Sequence, residues 1–165
     1  MFLVLLLALL VAATVHAMIS RRRSRQELAE LFLLYVLVGY CGFAMFLVSG
    51  FSLLAGDRVA AWLGWPLNNP FQQFLSFALL GLATAAILSI RYRDTYLVGP
   101  VVAWSVFFIG ATYGHLGDLS QRGVSHGTAL HVFTTHTSIP ILLLGLLALS
   151  GAVSFRRRDE TGAGP

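Results

Sequence analysis

Five long apolar stretches, separated by short segments that carry nearly all the charge, leave few folds open to this chain. They run over residues 2–19, 31–55, 71–90, 97–116 and 128–155. At about 1.5 Å rise per residue, each is long enough to cross a hydrocarbon core ~30 Å thick. Lipid offers backbone amides no partner, so a spanning segment must be a helix or part of a closed barrel. Barrel strands alternate apolar and polar positions, and these runs do not. The expectation is an all-α, polytopic transmembrane helical bundle of about five spans. It would form one domain over residues 1–155, followed by a polar, Gly-rich tail over 156–165 that is expected to be disordered.

Composition supports lipid as the solvent. Of the 165 residues, 57% are hydrophobic and 11% charged, where a soluble domain carries roughly a quarter charged residues. The net charge of +4 does not indicate nucleic acid. All eleven basic residues are arginines in short clusters between apolar runs, not a basic face interleaved with aromatics. They fit topology signals and anchors for anionic headgroups, so bound membrane lipid is expected. The single cysteine, Cys41, lies inside an apolar run and reads as a small buried hydrophobe.

Charge placement sets the expected orientation. Val15-His16-Ala17 resembles a signal cleavage site, but no positive charge precedes the first run, and Arg21, Arg22, Arg23 and Arg25 follow it. Arg91 and Arg93 follow the third run, and Arg156, Arg157 and Arg158 the fifth, leaving only Arg58 and Arg122 opposite. Such asymmetry predicts a cytoplasmic C-terminus and an external N-terminus. On the outer side, residues 57–70 hold Trp62, Trp65, Pro66, Asn68, Asn69 and Pro70, which suits an interfacial half-helix and turn. Residues 117–127 read as a polar, flexible loop. His16, at the cytoplasmic end of the first span, reads as interfacial.

Helices in lipid associate by close packing of small residues. The third span offers Ala78, Gly81, Ala85 and Ser89. The fourth has Gly110 and Gly114 at GxxxG spacing, continuing to Gly117, and the second has Gly39, Gly42 and Ser49. These three helices are expected to form the close-packed centre.

Ionisable residues inside a membrane call for explanation. Four of the five histidines, His115, His126, His131 and His136, map to the outer half, and Asp118 lies three residues after His115. His131 and Thr135 share a stripe with Thr128 and Ser138, and Gln72, Gln73 and Tyr113 should lie at similar depth. Pro140 leaves the His136 carbonyl without its helical donor, so the fifth span should bend or open there. Two readings stand. Imidazoles with Asp118 as ligand or acceptor can hold Zn, Cu or haem iron, or relay protons. Alternatively, the histidines hydrogen-bond near the headgroups to Thr, Ser and freed carbonyls. No HxxxH or CxxC signature is present.

The triplets Gly64-Trp65-Pro66, Pro70-Phe71-Gln72 and Tyr113-Gly114-His115 resemble the pattern of an uncharacterised family of small polytopic bacterial inner-membrane proteins, over about residues 31–147. The resemblance implies a small helical bundle and no particular activity. In that family an acidic residue follows Pro-Phe-Gln and an Asn lies further along; Phe74 and Leu79 stand at those places here. A carboxylate–histidine site of that kind would lack its carboxylate in this chain. An architectural likeness to DoxX-type four-helix membrane proteins is also present.

Close-packing stripes, little soluble mass and no strong catalytic signature favour a non-catalytic accessory or structural subunit of a larger membrane assembly, with protein partners or further copies of itself. The first alternative is a metal- or haem-binding redox membrane protein using the outer histidines. The second is a small transporter or channel, which the absence of mid-membrane carboxylates and internal repeats opposes.

Overall fold

A computed structural model describes residues 2–21, 24–63, 67, 70–122 and 132–152, with backbone alone at 2, 62, 63, 117–122 and 132–134. Among the described residues there is helix and no strand. Helix α1 covers Phe2–Ile19. Next comes one continuous rod: α2 (Arg25–Leu34), a π segment (Tyr35–Ala44) and α3 (Met45–Leu54). A short amphipathic helix, α4 (Gly56–Leu63), follows, then α5 (Pro70–Leu88). A 3-10 turn (Asp94–Leu97) leads into α6 (Val98–Arg122). A second π segment (Val132–Thr137) runs directly into α7 (Ser138–Ser150).

Three of these rods, Arg25–Leu54, Pro70–Leu88 and Asp94–Leu116, are long and apolar enough to cross a membrane. Leu3–Ile19 and Thr135–Ser150 are apolar but shorter. Many large apolar side chains face outward, among them Leu54, Phe74, Phe77 and Val106. Water would not tolerate so much exposed apolar surface on helices of this length, and the chain is a membrane protein.

Three boundaries differ from the hydropathy reading. The second span starts at Arg25 rather than residue 31, because Ser24 caps it. The Ser24 hydroxyl accepts from the Glu27 amide at 3.1 Å, and the Glu27 carboxylate accepts from the Ser24 amide at 3.3 Å, a reciprocal capping box. The fourth helix continues through Gly117 to Arg122, so no loop begins at residue 117. The fifth helix stops at Ser150 rather than 155, where Gly151 takes the left-handed conformation at φ 75° that ends helices at little steric cost. The half-helix expected after residue 57 is present as α4. Residues 156–165 lie outside the described residues.

The centre is not built from the second, third and fourth spans alone. The long second rod packs on α5 along its C-terminal part and on α7 along its N-terminal part, and α7 in turn packs on α6. Gly42 faces α5, where an added Cβ would lie 2.9 Å from Ile87 Cγ1 and 3.3 Å from its amide nitrogen. Gly39 faces α1, where the Cβ would meet Leu9 at 2.6 Å. The predicted stripe is inside only at its end: Ala78 and Gly81 are exposed, Ala85 is half-buried and Ser89 buried, while within α5 the buried residues are Gln72, Ser76, Ala83 and Ala86. Gly81, Gly110 and Gly114 meet nothing within 4 Å. Two small-residue stripes coexist on α5, and the register of Gly42 against Ile87 selects Ala83 and Ala86 for the inside. Cys41 is fully buried, as a small hydrophobe would be.

Candidate functional site

The core of the bundle is an aromatic column on α6. Trp104 is fully buried and donates its indole N–H to the Leu82 carbonyl at 3.3 Å. One turn on, Phe108 stacks on it with ring centroids 5.4 Å apart, and Tyr40 of the first π segment lies against Phe108 at 6.4 Å. Seven residues further along the same face of α6 is His115. The four- and seven-residue spacing of these rings is a helical stripe that the sequence displays and that ties the histidine to the core.

His136 joins this column from the facing helix. Its ring meets the edge of Phe108 at 5.6 Å and lies 5.1 Å from the ring of His115, tilted by 56°. Thr135 is buried, and its hydroxyl lies 3.3 Å from His136 Nδ1. A hydroxyl on one ring nitrogen holds the ring's orientation and biases its tautomer. The expected opening before Pro140 is a π segment, Val132–Thr137. Proline supplies no N–H, so the α-helical bond to the His136 carbonyl four residues back is lost, and the π segment ends one residue beyond His136. His136 thereby sits where the helix changes register.

Cavities flank His136 on both sides. One, of about 360 Å³, opens between α6 and α7 beside Thr112, Tyr113, Leu116 and Pro140. The other, of about 180 Å³, lies deeper against Tyr40, Met45 and Phe107. Among the described residues there is no group of three His, Cys, Asp or Glu side chains placed to share a metal. Two imidazoles are the described donors of this site.

The remaining predicted site residues divide. His126 and His131 lie outside the described residues. Asp118 is three residues beyond His115 in the unbroken α6 helix, its side chain outside the described set. Tyr113 is exposed and lines the larger cavity with His136. Gln72 serves another purpose: it is buried and donates from Nε2 to the Gly56 carbonyl at 2.8 Å. That bond pins the start of α4 to α5. Gln73 is exposed.

At the other end of the bundle, His16 Nδ1 lies 3.0 Å from the Tyr35 hydroxyl. This pairing across α1 and the second rod had no signal beyond the placement of both residues near the arginine cluster that joins their helices. An ion pair, Arg93 to Glu30 at 3.1 Å, ties the loop after α5 to α2 nearby.

No curated protein and no solved structure matches this sequence. One family model does, and it spans the helices, the histidine pair and the aromatic column alike. The match runs over residues 1–155, and the chain belongs to the family of unknown function DUF6790.

Proposed function

We propose that the protein is a non-catalytic accessory or structural subunit of a larger assembly in a bacterial inner membrane. In this reading it has five spans, its N-terminus outside and its arginine clusters in the cytoplasm. The carrying observation is the direction of Gly81, Gly110 and Gly114. Mid-helix glycine is destabilising by roughly 0.5–1 kcal/mol relative to alanine. Inside this chain these three glycines allow no close approach, since a Cβ on any of them meets open space. In a bilayer such small-residue faces let a second helix approach closely, and Gly110 and Gly114 have the GxxxG spacing. The neighbour they favour is a transmembrane helix of another subunit.

The test uses the full chain in lipid nanodiscs. Wild-type protein should have a mass well above that of one 17.9 kDa chain, either as a multiple of it or with a distinct partner. The Gly110→Leu/Gly114→Leu variant, whose added Cβ atoms meet nothing within 4 Å, should fold and run as a single chain. A wild-type monomer without partner, or a variant with unchanged assembly, refutes the subunit reading.

A second reading, metal binding at the outer histidines, is favoured by the ring spacing. A ligating nitrogen about 2 Å from a metal places its ring centroid about 3 Å from the ion. Two imidazoles at a tetrahedral angle then have centroids about 5 Å apart, and two in trans on a haem iron over about 6 Å. The observed 5.1 Å supports a tetrahedral Zn or Cu(I) ion rather than haem.

A further inference from the structure

The structure assigns a binding site for one anionic phospholipid to the groove between α1 and the second rod. The groove has a volume of about 270 Å³. Leu9, Leu34, Val38 and Phe43 line its length, and Tyr35 and Arg93 lie at one end. Tyr35 to Phe43 spans nine residues of the rod, so the apolar part runs from the polar end along the helix. An apolar channel with a phenol and a guanidinium at one end matches the polarity of a phospholipid whose headgroup meets Arg93 and whose first acyl segment enters the groove, the rest of the lipid lying in the bilayer. The fit of charge makes the occupant a lipid rather than a protein helix.

Arg93 can serve a phosphate without leaving its present contacts. Its Nη1 donates to Glu30 at 3.1 Å and its Nε to the Ile90 carbonyl at 3.3 Å. A guanidinium carries five N–H donors, so Nη2 remains for a phosphate oxygen. The Glu30 pair is 42% and 35% exposed, and exposed pairs of this kind are weak competitors. Arg91, two residues earlier, is exposed and forms no ion pair among the described residues. Outside the Arg93–Glu30 pair, Arg21, Arg25 and Arg91 outnumber Glu27 and Asp94 at this end of the bundle, and that surplus favours an anionic headgroup over a zwitterionic one. This inference needs only the bilayer as solvent and is independent of subunit assembly.

Native mass spectrometry of the full chain, released from detergent with phosphatidylglycerol or phosphatidylcholine of identical acyl chains, tests it. One phosphatidylglycerol should be retained at least about fivefold in preference to phosphatidylcholine. Arg93→Gln should remove that preference and Arg93→Lys should keep most of it. Glu30→Gln breaks the same ion pair yet should retain the lipid as well as wild type or better. Phe43→Trp leaves both charges in place, fills the apolar end, and should weaken retention severalfold. The proposal is overturned if wild type binds both lipids equally, if Glu30→Gln and Arg93→Gln lose lipid alike, or if Phe43→Trp changes nothing.

Discussion

His115 on α6 and His136 in the π segment before α7 place their rings 5.1 Å apart, and Phe108 supports the second of them at 5.6 Å. Two polar rings packed against an apolar aromatic column call for a partner or a ligand. The π register ahead of Pro140 aims His136 across the α6–α7 interface, and the buried Thr135 hydroxyl beside Nδ1 steadies it.

If the rings share a tetrahedral ion, Co(II) added to the purified protein should give the d–d absorption of a tetrahedral site. Replacing either His115 or His136 by alanine should weaken Co(II) and Zn(II) binding at least about tenfold, since each supplies one ligand. Imidazole must be deprotonated to bind metal, so affinity should fall on acidification. Equal affinity in wild type and both variants would leave the pair as a purely structural contact.

The glycines give a graded series. Gly42→Ala should destabilise the bundle most, by about 1–3 kcal/mol, because its Cβ confronts the Ile87 backbone nitrogen at 3.3 Å as well as the side chain. Gly39→Ala should cost less, since Leu9 presents the far end of a flexible side chain. Gly81→Ala should be neutral or stabilising, by up to about 1 kcal/mol, through helix propensity alone. Thermal unfolding in a constant detergent measures all three, and a reversed order would contradict the packing described.

Trp104 is the largest fully buried side chain among the described residues. Trp104→Ala should destabilise by about 3–5 kcal/mol through the cavity left behind. Trp104→Phe should cost less, because it keeps the stack on Phe108 and loses only the hydrogen bond to Leu82. Because Phe108 also holds His136, Trp104→Ala should weaken metal binding at the histidine pair more than Trp104→Phe does.

How much of this was legible in the sequence differs from residue to residue. Apolar run length identified the helices, since a bilayer fixes the length of its spans. The Ser24-to-Glu27 box marks the start of α2, but a hydropathy boundary passes over it because the first turn is charged. The distortion at His136 follows from Pro140. The ten-residue π segment around Gly39 and Gly42 has no such marker. Its register answers to packing against α1 and α5, which sequence spacing does not encode. For the same reason, Ala78-Gly81-Ala85 and Ala83-Ala86 are equally plausible stripes on paper, and only the partner helix decides between them. Of the histidines, the pairing of His115 with His136 needed the fold, because it joins two helices.

The central claim is that lipid covers the outward apolar faces of this bundle, and oxygen accessibility at a spin label tests it most directly. Cys41, the single native cysteine, would be replaced by alanine and a label attached at Phe77 or Val106, both more than 60% exposed. In bilayers of the Gly110→Leu/Gly114→Leu background, where no second helix covers these faces, both labels should collide readily with dissolved oxygen and hardly at all with a water-soluble nickel chelate. Labels reached more readily by the nickel chelate would place these faces in water and contradict the account.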